Sequence, residues 1–184
     1  MIKRSLFIFL LLVASISLLQ AATLQKRDHL TEKEVDLVKE AQVLDKRIDV
    51  FIKAAERRMM VINNSAAANA KQLKKDSERW GELPAGTRAE LVSDIARILD
   101  EAITNIDDVS TRDERNPLIP KALRKLAQAV NTMMAQLKPL ATEAKSDAEV
   151  ASFELLNEGA ESILAATNNL PPEVDKKAKK NEKN

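Results

Sequence analysis

From Val92 onward, apolar residues recur at Val92, Ile95, Leu99, Ala102, Ile106 and Val109, in alternating steps of three and four. A second run, Ile119, Leu123, Leu126, Val130, Met133, Leu137 and Leu140, repeats the pattern. Steps averaging near 3.5 residues put every member on one helix face, at the period of left-handed helix packing. No other feature limits the fold so tightly. A chain with two such seams must bury them against further helices.

Two more helices bracket this pair. Thr31 and Glu34 in "LTEKEV" form a capping box, with Leu30 and Val35 placed as a hydrophobic staple. The helix they open carries Val38, Ala41, Leu44, Ile48, Ile52, Ala55, Met59 and Ile62 on one face, and Asn63-Asn64 suit a left-handed stop. Its charged stretches "DKRID" and "AERR" read as a solvated face laced with salt bridges. Thr87 and Glu90 box the second helix, and Pro117 or Pro120 suits the first turn of the third. Pro139 is expected to kink or end that third helix. Ser146 and Glu149 box the fourth, whose face is Val150, Phe153, Leu156, Ala160, Ile163 and Thr167, before "NNLPP" stops it. Short loops at 110–116 and 139–146 predict antiparallel neighbours. The expectation is an all-α four-helix bundle with coiled-coil-like seams, spanning residues 31–169. A long connection over 63–87, part loop and part helix, joins helices one and two.

The ends differ from this middle. Lys3 and Arg4 precede a charge-free run from Leu6 to Leu19, followed by "QAA". This is the pattern of a secretory signal peptide over residues 1–22, too short for a comfortable membrane span of ~20 apolar residues. A retained membrane anchor is the alternative. Residues 23–30 read as a mobile N-terminal segment, and the lysine-rich 170–184 as a disordered tail able to touch anionic lipid only weakly. The implied location is periplasmic or secreted.

Composition then removes function classes. The chain has no cysteine and one histidine, His29, which falls ahead of the first helix. No haem attachment motif, zinc ligand set, Glu-x-x-His pair or Gly-rich phosphate loop appears. The expectation is a non-catalytic protein without metal or cofactor. A net charge of +1 and 3% aromatic residues supply neither the field nor the stacking surface for nucleic acid.

"WGELPAGTRAEL", residues 80–91, holds the only tryptophan and two of the three glycines. It sits where the long connection rejoins the bundle. Gly81 and Gly86 permit unusual backbone angles, Pro84 stiffens the turn, and Trp80 and Leu83 supply apolar anchors. The segment reads as a joint, with a pocket or partner surface as the alternative. Asp107 and Asp108 fall at the expected C-terminal end of helix two, where negative charge is unfavourable. They are either compensated by Arg112 and Arg115 or form a partner or cation site.

"WGELPAGTRAELVSD", "EAITNIDD" and "NPLIPKALRKLA" together resemble a family of exported helical proteins from soil bacteria of the acidobacterial type, over most of the chain from "LTEKEVDLVKEAQ" onward. The resemblance implies export and a helical fold, and brings no functional residue. The expected function is protein interaction or a structural role in the cell envelope, through an envelope protein partner or a homo-oligomer. A carrier with an inter-helix pocket near Trp80 or Pro139 is the alternative, and binding to a membrane surface through the basic tail is a third reading.

Overall fold

Six helices account for most of residues 27–171, the part described by the structure, a computed structural model. They are α1 (Glu32–Glu40), α2 (Leu44–Ile62), α3 (Ala70–Trp80), α4 (Arg88–Arg112), α5 (Leu118–Thr142) and α6 (Asp147–Asn168). No strand occurs among the described residues. The expected signal peptide and nearly all of the lysine-rich tail lie outside them.

The two seams are buried almost throughout. Val92, Ile95, Leu99, Ala102 and Ile106 of α4 and Leu123, Leu126, Val130, Met133 and Leu137 of α5 form the core with Phe153, Leu156, Ala160 and Ile163 of α6. From α2 come Leu44, Ile48, Phe51, Ala54, Ala55 and Met59. Val150, expected on the inner face of α6, is instead 42% exposed, because the buried face of that helix begins at Ser152 and Phe153.

Long-range pairs fix the helix directions. Asp45 with Lys121, Asp49 with Lys125 and Asn63 with Gln136 run in step, so α2 and α5 are parallel. Arg47 with Asn105 and Arg58 with Asp94 run in opposition, so α2 and α4 are antiparallel. Arg88 and Glu149 join the starts of α4 and α6, which are therefore parallel. α2 packs on α4 and α5, and α6 packs on the same two. α4 and α5 share less contact than any of these pairs, although a short loop links them. The short loop brings their ends together, while the apolar faces of both turn toward α2 and α6.

The first helix departs from expectation. The uninterrupted apolar face predicts one helix from residue 31 to 63, but the chain breaks between Glu40 and Leu44. Ala41 leaves helical geometry at ψ 82° and Val43 is extended. The Ala41 carbonyl accepts 2.9 Å from Arg47 Nε, and Gln42 Nε2 donates to the Lys39 carbonyl, so side chains replace the missing helical bonds. The capping boxes at Thr31–Glu34 and Thr87–Glu90 are both complete. At Ser146 only the serine half forms, since the Glu149 carboxylate turns to Arg88. Asn64 takes φ 50° and ends α2, the left-handed stop expected there.

Two helices run past their expected ends. α5 carries Pro139 internally and continues to Thr142, because the Glu143 amide closes the last turn onto the carbonyls of Pro139 and Leu140. α4 continues to Arg112, whose Nε donates 3.0 Å to the Asp108 carbonyl while the Thr111 hydroxyl donates to that of Asp107.

Candidate functional site

The break after α1 has a consequence in charge. In a continuous helix Glu34 and Arg57 would stand about 35 Å apart, at ~1.5 Å per residue. Folded back, α1 lays Glu34 against α2, where its side chain is fully buried. Glu34 Oε1 accepts 2.7 Å from Arg58 Nη1 and 3.3 Å from Arg57 Nε. Its other oxygen accepts 2.9 Å from the Thr31 amide, completing the capping box. One carboxylate therefore caps α1 and bridges two guanidiniums.

"AERR" was expected to face solvent. Arg57 and Arg58 are each only 1% exposed, which corrects that expectation. The cause is the set of acceptors around them. Arg57 Nη2 reaches the carbonyls of Trp80 (3.2 Å), Gly81 (3.1 Å) and Glu82 (2.5 Å). These are carbonyls at the C-terminal end of α3, which lack helical donors and carry partial negative charge. Arg58 donates to the carbonyls of Ala54 at 2.8 Å and His29 at 2.6 Å. Its Nε lies 4.0 Å from Asp94 Oδ2, and that same oxygen accepts 2.6 Å from Arg27. Burial pushes the Arg57 guanidinium below its usual range, and Glu34 opposes the shift. The cluster ties α1, α2, α4, the end of α3 and residues 27–30 to one point.

Trp80 is the apolar part of this clasp. It is 7% exposed and belongs to the core. Lys53 Nζ stands 4.9 Å and Arg57 Cζ 5.7 Å from the ring centroid, within cation–π reach. Lys53 also holds Asp76 at 2.5 Å, and that hydrogen bond keeps the Asp76 carboxyl below its ordinary value. Gly81 takes φ 66° and ψ −164°, a region essentially restricted to glycine, which turns the chain out of α3. A Cβ on Gly81 would meet Lys33 of α1 at 3.3 Å. Gly86 needs no positive φ; it leaves room for the Arg27 guanidinium, which a Cβ there would strike. Trp80 is buried and Leu83 half-buried, so both expected apolar anchors of the joint turn at least partly inward, and Pro84 between the glycines is buried too.

The other predicted site residues lie apart. Asp107 and Asp108 are exposed on α4, a turn before its end, and no ion pair among the described residues joins them to the clasp. Residues 27–30, expected to be mobile, are held instead. Leu30 is in the core, and His29 Nε2 meets Glu101 at 2.8 Å beside a cleft of about 600 Å³ that also takes in Arg27 and Arg97. His29 thus belongs to the fold rather than preceding it. The one sequence signal for the clasp was Glu34 itself, already placed by its capping box.

A second charged set binds α2 to α5. Asp45 is buried and receives Lys125 at 2.7 Å and Lys121 at 2.9 Å. The Lys125 and Lys121 ammonium groups hold its carboxyl below the usual aspartate value. A third feature is an apolar groove of about 680 Å³ between α5 and α6, lined by Met134, Leu137, Ala141 and Phe153 among others. Among the described residues no group of three or more histidine or acidic side chains could hold a metal ion, and no helix is long and apolar enough to cross a membrane. Compared with protein-family models, curated proteins and solved structures, the chain matches none, and no family is assigned to it.

Proposed function

We propose that this chain is an exported, non-catalytic protein that works by protein interaction or as a structural component of the cell envelope. In this reading α2, α4, α5 and α6 form a four-helix bundle, and α1 and α3 are clasped onto α2. The basic start, apolar run and small residues over 1–22 support export. The observation that carries the interaction reading is how the polar groups are used. Glu34, Arg57, Arg58 and Asp94, the buried charges of the clasp, are committed to one another and to backbone carbonyls. Val150 and Leu155 of α6 and Val43 ahead of α2 are exposed, and so are Glu154, Glu158, Lys71 and Lys75, which have no ion-pair partner among the described residues. Native mass spectrometry of the protein recovered from its own envelope tests this reading. A second protein in the peak, or a second copy, is the expected result. A stoichiometric small molecule on a monomer would overturn it.

One observation favours the carrier reading as the second choice. The groove between α5 and α6 is lined mainly by apolar side chains and runs alongside Pro139. Small apolar ligands seated there would raise the melting temperature, and the rise would grow with ligand concentration. Met134→Glu would abolish that rise.

A further inference from the structure

We infer that the outer face of α6 docks onto the α3 side of a second copy of this chain. The inference rests on the interaction reading above and names the partner.

α6 is unusual in its charge. Its 22 residues include Asp147, Glu149, Glu154, Glu158 and Glu161 and no lysine or arginine. Only Glu149 has an ion-pair partner among the described residues, Arg88. Glu154, Glu158 and Glu161 are exposed and lie one helical turn apart in succession, on the same side of the helix. Leu155 stands beside them at 44% exposure, with exposed Ala151 one turn before it. A helix face that shows leucine among uncompensated carboxylates is complementary in charge to a cationic, partly apolar surface.

α3 offers that surface. Lys71, Lys75 and Arg79 recur every fourth residue and are all exposed, with no ion-pair partner among the described residues; exposed Lys74 adds to them and exposed Glu78 is the one acid on the same side. The row has nearly the spacing of the carboxylates on α6, about 6 Å per turn. It ends at an open cleft of about 610 Å³ lined by Val43, Val50, Trp80, Lys46 and Arg79 among others. Val43 is 51% exposed and, with Val150 and Leu155, makes up the exposed large hydrophobics of the described chain. Glu40 and Asp49 also line that cleft, but Asp49 is held by Lys125 at 2.6 Å and Lys46 at 4.0 Å, which leaves Arg79 as the cation of the rim without an ion-pair partner among the described residues. Leu155 fits as the knob and the Val43 cleft as the hole, with three carboxylates facing three cations.

The two surfaces lie on different parts of the molecule. α6 packs on α4 and α5, whereas α3 packs on α1. A contact between them is heterologous, joining copies head to tail, and leaves each end able to take another copy.

Sedimentation of the purified protein over a range of concentrations and salt tests the inference. At low salt the weight-average mass is expected to rise with concentration. It should fall back toward the monomer as salt screens the pairing. Glu154→Lys with Glu158→Lys, or Lys75→Glu with Arg79→Glu, should each give a monomer. All four positions are exposed and outside any ion pair among the described residues, so circular dichroism should stay unchanged. Mixing the two charge-reversed proteins should restore association, because each then presents the charge the other lacks. A wild-type monomer at every concentration, or association indifferent to both reversals, would overturn the inference. That failure would remove self-docking alone; only the native mass measurement bears on the broader interaction reading.

Discussion

The two halves of this molecule are held by different means. From Arg88 onward, α4, α5 and α6 pack through long apolar seams, and Arg88–Glu149 is the one ion pair among them, at the rim. Before Arg88, α1, α3 and residues 27–30 meet α2 around a buried carboxylate and two buried guanidiniums. Seam packing is non-directional and spread over many side chains. The clasp is directional and concentrated in Glu34. A lost methylene in the seams is shared by neighbours, whereas a lost oxygen in the clasp strands two charges.

Each half can be broken by one substitution. Glu34→Ala leaves Arg57 and Arg58 buried without their carboxylate, an expected loss of about 3–5 kcal/mol in a urea melt. Trp80 fluorescence should change before far-ultraviolet circular dichroism in that variant, since the Trp80 joint leaves first. Leu156→Ala, at a fully buried position of α6, should cost about 2–5 kcal/mol. There the two signals should move together, because the seams unfold as one.

Smaller effects sharpen the contrast. Thr87→Ala removes the side-chain oxygen that caps α4 at the border of the halves. About 1 kcal/mol should be lost, with fluorescence and dichroism still coincident. The Asp45 pairs lie between α2 and α5, outside the clasp. The folded state depresses this carboxyl, so its contribution is present above the ordinary value of 3.8 and is lost as pH falls through the lower folded value. With Lys121 largely exposed, the effect should stay below about 1 kcal/mol. Asp45→Asn should flatten that part of an acid titration of stability.

The halves also differed in how far the sequence disclosed them. The seams of α4 and α5 repeat over five or more helical turns, and that period can only be a buried helix face. Thr31, Thr87 and Asn64 mark helix ends through local chemistry, so they too were legible. The clasp was not. "AQV" at 41–43 contains neither glycine nor proline, and its apolar spacing continues the helix on paper. Without that break Glu34 cannot reach Arg57, so "AERR" had no visible reason to be buried. Trp80 and Gly81 could be read as a joint, but the arginine that fastens the joint lies 23 residues away. Contacts made across a fold-back depend on a bend that no single residue announces.

The central claim is that Glu34 holds α1, the Trp80 joint and residues 27–30 as a unit separable from the rest. Amide hydrogen exchange on Glu34→Gln, compared with the wild type, tests it most directly. Protection should fall across 28–40 and 70–82 and stay unchanged in the interiors of α4, α5 and α6. An equal fall in all six helices, or none anywhere, would contradict it.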